Sequence, residues 1–222
     1  MTVQPFMTTY PETQADLEQF EAEFADQLQL STEAQDLLFR EARTANTFTD
    51  EPVSEEQVRA IYELVKWAPT SMNNQPLRIV LVRSDEARAR LVDLMAEGNK
   101  PKTQAAPLVA ILAADNEFHE ELPKVFPHFP AAKDMFGGNE AMRLRTAELN
   151  ATLQIAYFIL GVRAAGLAAG PMTGFDADAV TREFFPDGEH RALAVVNIGK
   201  PGPDAWFPRS PRLDFDEVVT TV

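Results

Sequence analysis

The longest helical pattern in the chain, residues 139–165, places the strongest constraint on the fold. Apolar residues recur at helical spacing in its first half, and after Thr152 they occupy nearly every side of the helix. A helix of this kind needs partners all around it, so we expect it to be the long, buried central helix of the domain. Gly166 follows at a position where a glycine can end a helix.

Short apolar runs predict strands that pack with this helix. They occupy residues 78–82, 107–113 and 192–198. The remaining apolar patterns have helical spacing and do not alternate with the strands in a repeated βαβ rhythm. We therefore predict an α+β fold rather than a doubly wound parallel sheet.

The N-terminal part of the chain differs from the rest. Residues 1–11 lack periodicity, whereas the apolar residues of 11–28 recur at helical spacing and predict an accessory helix. We divide the chain into an N-terminal extension, residues 1–30, and a single domain, residues 31–222. A domain of that length can bury a sizeable core.

Composition excludes several classes of function. The 20 basic and 34 acidic residues give a net charge of −14, which argues against a nucleic-acid partner. The absence of cysteine excludes disulfides, iron–sulfur ligation and thiol nucleophiles. No secretory leader or membrane span is visible, so we expect a cytoplasmic protein. The three histidines are scattered, no metal site is expected, and the glycine-rich nucleotide motifs are missing.

A loop rich in polar donors, WAPTSMNNQP at residues 67–76, precedes the first predicted strand. Its hydroxyl and amide groups can hydrogen-bond a flat ring with many heteroatoms, but they include no strong acid or base. An ordinary polar connection explains the loop equally well when it is considered alone.

Cationic and glycine-rich segments elsewhere add to this pattern. Arg43 with Thr44, and Arg209 with Arg212, could bind a phosphate, because arginine does so bidentately. Lys102 could stabilise negative charge on a ring, and the glycines of GPMTGF at 170–175 allow a ligand to approach the backbone. Surface arginines, a solvated lysine and a tight turn are the structural alternatives.

Five motifs, in this order, resemble those of the FMN-dependent nitroreductase superfamily and together cover residues 31–222. They are ARTANTF at 42–48, APTSMNNQP at 68–76, GNKPKTQAAP at 98–107, GLAAGPMTGFD at 166–176 and PRSPRLDFDEV at 208–218. Narrower features resemble the malonic semialdehyde reductase branch of pyrimidine degradation. They are ARTAN, LPKVFPH at 122–128, the polar and apolar pattern of residues 136–154, and PRSPRL.

The resemblance implies a nitroreductase-like fold: a mostly antiparallel central sheet surrounded by helices, in an intertwined homodimer with FMN at each subunit interface. The residues that it implies for cofactor binding are Arg43, Thr44, Asn46, Arg209 and Arg212 at the phosphate and ribityl chain, Pro69, Thr70, Ser71 and Asn73 from the other subunit, Asn99 and Lys102 at the pyrimidine edge, and Pro171, Thr173 and Gly174 near N5. Two residues depart from the superfamily pattern. Asn46 replaces a basic residue, which weakens one phosphate contact, and Leu77 replaces an aromatic residue after Gln-Pro.

The implied mechanism is ping-pong hydride transfer through the flavin, from NADH or NADPH to an oxidant. Lys102 and Gly174 would polarise the flavin, and no other catalytic residue is expected. The leading substrate is malonic semialdehyde, or a similar small 3-oxo acid, reduced to 3-hydroxypropionate. Candidate substrate contacts are Phe126, His128, Lys133 and Arg145.

Two alternatives stay open at this stage. One is a broad nitroaromatic or quinone reductase, and the other is a flavin-binding protein without turnover. The irregular stretch at residues 115–138 favours a segment that covers a substrate and a surface loop with short helical turns about equally.

Overall fold

A computed structural model describes residues 27–222 of the chain. Most of the predicted accessory helix lies outside the described residues. The chain divides into two compact units, Met1–Ala42 with Phe207–Val222, and Arg43–Trp206.

The α-helices and strands of the described residues alternate irregularly along the chain. The helices are α1 (Thr32–Gln35), α2 (Glu55–Val65), α3 (Asp85–Asp93), α4 (Lys100–Ala105), α5 (Leu122–Val125), α6 (Ala131–Gly137), α7 (Glu140–Ala164), α8 (Ala177–Phe184) and α9 (Phe215–Val218). The strands are β1 (Leu77–Val82), β2 (Leu108–Asp115), β3 (Ala168–Met172) and β4 (His190–Gly199).

The four strands form one antiparallel sheet in the order β1-β2-β4-β3. Every residue of β2 is buried, as expected for a central strand covered on both faces. The predicted α+β class and the mostly antiparallel sheet are therefore confirmed.

Helices α2 and α7 cover one face of the sheet. Ile61 and Val65 from α2 pack with Phe158 and Val162 from α7. The two helices are so close that a Cβ atom at Gly161 would lie 2.3 Å from a Val65 methyl group. Each large apolar side chain buried here contributes on the order of 1.5–3 kcal/mol to stability.

The opposite face is covered by α3 and α8. Leu91 and Val180 from these helices pack against Val109, Ile111 and Val195 of the sheet. Helix α3 begins at Ser84, whose side chain accepts a hydrogen bond from the Ala87 N–H and so satisfies one of the free amides of the first turn.

Helix α7 has the predicted length, and Gly166 follows it with a φ of +70°, but the helix is not buried on all sides. Leu149 is 61% exposed and Leu153 is 46% exposed, and Leu144 and Tyr157 are also exposed. The sequence pattern indicates that both sides of this helix are apolar. Within one chain, however, only the side that faces the sheet is covered.

The 115–138 segment is a packed layer with its own apolar cluster. Phe118, Leu122 and Phe136 are buried together against Ala147 and Ala151 of α7. The segment contains short helical turns, as one of the two alternatives predicted.

Two local predictions need correction. The residue types predict that Thr32 and Gln35 form a capping box at the start of α1, but the N-cap is Ser31, whose hydroxyl accepts from the Ala34 N–H. The first part of the glycine-rich stretch is the edge strand β3 rather than a turn. An edge strand tolerates Pro171, whose missing N–H removes no necessary ladder bond.

The smaller unit contains α1, a π-helical turn at Asp36–Arg40, and the tail with α9. Arg209 donates a hydrogen bond from its guanidinium to the Arg40 carbonyl. Helix α9 begins with a capping box between Asp214 and Glu217.

Candidate cofactor site

The loop carrying Arg43, Thr44 and Asn46 lies along the edge strand β3. The Ala45 N–H donates to the Ala169 carbonyl at 3.0 Å, and a Cβ atom at Gly170 would lie 2.7 Å from the Ala45 oxygen. A residue larger than glycine would therefore push this loop away from the sheet.

The start of α4 lies next to the end of β3. The Gly174 carbonyl accepts two hydrogen bonds of 2.9 Å, from the Ala96 N–H and from the Asn99 side-chain amide. A Cβ atom at Gly174 would lie 2.6 Å from that amide nitrogen, so the close contact depends on the glycine.

Lys102 connects the two regions. Its ammonium nitrogen is 3.5 Å from the Asn46 side-chain oxygen. Three motifs that are far apart in sequence thus converge at one edge of the sheet. We call the group Arg43, Thr44, Asn46, Asn99, Lys102 and Gly174 the β3-edge cluster, and Pro171 and Thr173 adjoin it in sequence.

A buried arginine that the sequence did not single out holds α4 in place. Arg88 donates to the carbonyls of Thr103 (2.8 Å) and Ala106 (2.5 Å), and to that of Val82 at 3.1 Å. Burial lowers the pKa of Arg88. These bonds tie the helix that bears Lys102 to the end of β1, although in sequence Arg88 looks like one more polar residue of an amphipathic helix.

The donor loop, residues 69–75, has an unusual backbone. Met72 and Asn73 both have a φ of 51°, and Gln75 has a φ of 42°, a region that residues other than glycine rarely adopt. Within the loop, the Thr70 hydroxyl accepts from the Gln75 N–H at 3.3 Å.

Two amides of α7 hold this loop and the strand after it. Asn150 accepts from the Ser71 N–H at 2.7 Å, and Gln154 accepts from the Leu77 N–H at 2.9 Å. The sequence contained a signal for both residues, since they are amides one turn apart in a helix that is otherwise largely apolar there.

The donor loop also contacts the 115–138 segment. The Asn73 amide donates to the Val125 carbonyl at 2.8 Å, so the side chain expected to reach a flavin already has a partner in its own chain.

The Ser71 residue is exposed, and a pocket of about 310 Å³ lies beside the loop. The pocket is lined by Tyr62, Lys66, Trp67, Ala68, Pro69, Thr70, Asn73 and Gln75.

The donor loop and the β3-edge cluster lie at opposite edges of the sheet. The loop leads into β1, whereas Gly174 follows β3, and two strands separate them. The edge strands β1 and β3 are three strand spacings apart, which amounts to roughly 14 Å. The predicted cofactor residues of this unit therefore form two groups that a single chain keeps apart.

The candidate substrate residues have different surroundings. The rings of Phe126 and His128 are in contact, with centroids 4.0 Å apart, and His128 is exposed. Lys133 pairs with Glu120 at 2.6 Å, and this hydrogen bond raises the pKa of Lys133. Arg145 is exposed on α7, one turn before Leu149.

Arg209 and Arg212 belong to the smaller unit. Arg212 donates to the carbonyls of its neighbours Ser210 and Pro211 at 2.8 and 3.1 Å, and Arg209 to that of Arg40. Their assignment to a phosphate site stays a prediction.

Among residues 27–222, no group of three or more histidine and acidic side chains is arranged to hold a metal ion. Within the same residues, no helix has the length and apolar character needed to cross a membrane.

Residues 39–200 match the model of the nitroreductase family. This match covers well over half of the chain, and the chain belongs to the nitroreductase family.

Close relatives share most of their length with the chain. A protein of Streptomyces coelicolor named "Putative NADH dehydrogenase/NAD(P)H nitroreductase" is 72% identical over 195 residues, which are 88% of this chain and 99% of the relative. A protein of the same name from Leptothrix cholodnii is 49% identical over 187 residues, covering 84% of this chain and 95% of the relative.

Solved structures show the same fold at low sequence identity. A nitroreductase-type protein from Exiguobacterium sibiricum, crystallised in complex with FMN, has a TM-score of 0.77 and 21% identity, covering 87% of this chain and 99% of that chain. The Bacillus subtilis nitroreductase-type protein ydfN has a TM-score of 0.76 and 23% identity, covering 90% and 99% of the two chains.

Proposed function

We propose that this protein is an FMN-dependent NAD(P)H oxidoreductase whose active form is a homodimer. The observation that carries the proposal is the convergence of Asn99, Lys102 and Gly174 with the Arg43–Asn46 loop at the β3 edge. The names of the relatives, which include NAD(P)H nitroreductase, and the FMN complex of the structural neighbour support it.

The β3-edge cluster fits the chemical groups of FMN. Arg43 and Thr44 offer a guanidinium and a hydroxyl suited to a phosphate. Lys102 offers a positive charge for an electron-rich ring edge. Gly174 lets the Asn99 amide pack directly against the main chain, because a Cβ atom there would collide with it, and this contact holds a donor at the edge of the cluster.

The separation of the two groups of predicted residues supports a dimer. One chain cannot bring its own donor loop onto its own β3-edge cluster, because two strands lie between them. A second copy can supply the loop. The exposed apolar side chains of α7 and the exposed Tyr62 of α2 offer a surface for this association.

When bound, FMN would supply the redox chemistry by accepting a hydride from NADH or NADPH and passing it to the oxidant. The residues of the chain bind, orient and polarise. Lys102 stabilises negative charge, Asn99 and Gly174 fix the ring plane, and the donor loop of the second copy provides hydrogen bonds. This division of labour needs no strong acid–base pair, and none is present among the proposed cofactor residues.

For the oxidant, the resemblance favours malonic semialdehyde or a similar small 3-oxo acid. Its carboxylate needs a cation, and Arg145 suits that role better than Lys133, which already pairs with Glu120. The second candidate is a broad nitroaromatic or quinone reductase, which the names of the relatives favour.

The test begins with the colour of the purified protein. We expect a yellow protein that releases a pigment with the mass of FMN and is bleached by NADH or NADPH without oxygen. A colourless protein that cannot be reconstituted with FMN would refute the proposal, and bound FMN that is never reduced would indicate a flavin-binding protein without turnover. Comparing kcat/KM for malonic semialdehyde with that for nitroaromatics and quinones then decides between the two oxidants.

A further inference from the structure

Asn150 is a buried amide with a partner at each end. It is 3% exposed; its oxygen accepts from the Ser71 N–H at 2.7 Å and its nitrogen donates to the Thr146 carbonyl at 2.8 Å. Reversing the amide would break both bonds, so its orientation is fixed. Helix α7, which carries it, packs on the sheet and contributes buried residues to two apolar clusters of the unit.

The Ser71 N–H that Asn150 binds is located at the start of the strained part of the donor loop. The next two residues, Met72 and Asn73, have positive φ values and persist there only if neighbouring contacts hold them. Asn150 provides a contact before these residues. The hydrogen bond from Asn73 to the Val125 carbonyl provides one after them.

These bonds form a continuous path from α7 through the donor loop to the 115–138 segment. Val125 ends α5 and is followed by Phe126, whose ring contacts His128. A shift at Ser71 therefore changes the direction of Asn73 and, through Val125, the position of those two rings.

We propose that Asn150 is a positioning residue that couples the donor loop to the 115–138 segment. The conformation of the loop and the position of the Phe126 and His128 rings then depend on each other. Its effect on flavin and substrate rests on the proposed function, whereas the coupling within the chain does not. Asn150 touches neither ligand in this scheme and acts through the Ser71 backbone.

The first experiment measures amide hydrogen exchange in the cofactor-free protein. The variants are Asn150→Leu, which keeps the branched side-chain shape without the acceptor, and Asn150→Asp, which retains an acceptor. Burial raises the pKa of such a carboxyl, and its protonated form can also donate to the Thr146 carbonyl. We expect exchange in residues 69–75 and 122–128 to be about tenfold faster in Asn150→Leu and nearly restored in Asn150→Asp.

Gln154→Ala is the matched control, because it removes the neighbouring amide that binds Leu77 instead. Its faster exchange should be confined to the start of β1. Unchanged exchange at 122–128 in Asn150→Leu, or an equal effect there from Gln154→Ala, would overturn the proposal, whether or not the protein binds FMN. If Asn150→Leu fails to fold, the same comparison is made with Asn73→Ala, which breaks the path at its other end and should speed exchange at 122–128 while leaving the Ser71 amide protected.

The second experiment uses the FMN-loaded protein. In Asn150→Leu we expect about tenfold weaker FMN binding, which corresponds to about 1.4 kcal/mol. At saturating FMN we expect a several-fold higher KM for the oxidant with a smaller change in kcat. A purely structural defect would lower the active fraction, and hence the apparent kcat, without changing KM.

In a double-mutant cycle with Asn73→Ala, effects on exchange at 122–128 should be less than additive, and full additivity would contradict a shared path.

Discussion

The side-chain amide of Asn99 donates a 2.9 Å hydrogen bond to the carbonyl oxygen of Gly174, and a Cβ atom at Gly174 would lie 2.6 Å from that amide nitrogen. This pair joins the entrance of α4 to the end of β3. Both residues are predicted from the family resemblance as flavin contacts, and in the structure they contact each other directly.

Gly174→Ala should therefore weaken FMN binding by about tenfold while changing the free energy of unfolding by only about 1 kcal/mol. The new methyl group forces the Asn99 amide to move and breaks its hydrogen bond. Flavin fluorescence titration and chemical denaturation measure the two quantities. Gly98→Ala is the control, since a Cβ atom there has no heavy atom within 4 Å, and equal effects of the two substitutions would contradict the interpretation.

Lys102 should influence the redox properties of the bound flavin rather than the fold. Lys102→Gln removes a positive charge close to the ring edge, so we expect a lower flavin reduction potential and at least about a tenfold slower reduction by NAD(P)H. Stopped-flow reduction and a spectroelectrochemical titration check this prediction. Lys100→Gln is the matched control on the same helix, because Lys100 pairs with Glu97 at 2.6 Å, and its potential should match that of the unmodified protein.

Arg88 should contribute mainly to stability. Arg88→Met leaves the Thr103, Ala106 and Val82 carbonyls without their shared donor, so we expect a loss of about 2–4 kcal/mol in the free energy of unfolding. Chemical denaturation measures this loss. Arg90→Met on the same helix removes only partly exposed ion pairs with Glu86 and Glu183 and should cost less than about 1 kcal/mol.

The sequence predicted those parts of the fold that have a periodic or local signal. The limits of α7 agree with the expected 139–165 to within one residue at each end, because they depend on near neighbours in the chain. Strand β3 was not recognised as a strand. Its glycine and proline resemble a turn, and only the approach of Ala45 from a distant loop explains why a glycine is required there.

The sequence proposed a set of cofactor residues but not their arrangement. The resemblance to the nitroreductase motifs indicated Asn99, Lys102 and Gly174, yet their mutual contacts depend on how β3 and α4 meet. The separation of the donor loop from this cluster follows from the strand order, which the sequence pattern did not provide. The role of Arg88 could not be assigned, because its partners are backbone groups. Asn150 stands out in sequence as an amide in a largely apolar stretch of helix, but its backbone partner at Ser71 could not be identified from the residue types.

The proposed dimer can be tested on the exposed side of α7. Leu149→Glu places a charge where the proposal buries a leucine, so we expect a monomer that binds FMN at least about tenfold more weakly. Light scattering during gel filtration measures the mass, and flavin titration measures the affinity. Ala89→Glu, an exposed position on α3, adds the same charge on the opposite face of the sheet. A dimeric Leu149→Glu protein with normal FMN affinity would exclude this face as the interface.

The Glu120–Lys133 pair should make the 115–138 segment sensitive to pH at both extremes. The hydrogen bond from Lys133 lowers the pKa of Glu120 below its ordinary value of 4.5, and the same bond raises the pKa of Lys133 above 10.5. The Glu120 carboxylate contributes fully to stability above pH 4.5, and this contribution is lost as pH falls through the lowered pKa. The Lys133 ammonium contributes fully to stability below pH 10.5, and this contribution is lost as pH rises through the raised pKa. Because both groups are exposed, salt should weaken the effect.

Glu120→Gln should therefore slightly increase local opening of the segment at neutral pH and remove its share of the acid transition, while Lys133→Met should remove the alkaline one. Limited proteolysis of residues 115–138 across the pH range reports both changes. Glu120 also has its second carboxylate oxygen 3.6 Å from the buried His119, so Glu120→Gln changes two contacts whereas Lys133→Met changes only the contact with the lysine. Glu121→Gln is the control, since Glu121 lies 3.6 Å from the largely exposed Lys124 and should leave both limbs unchanged. Cleavage that follows the same pH profile in all four proteins would show that this ion pair does not hold the segment in place.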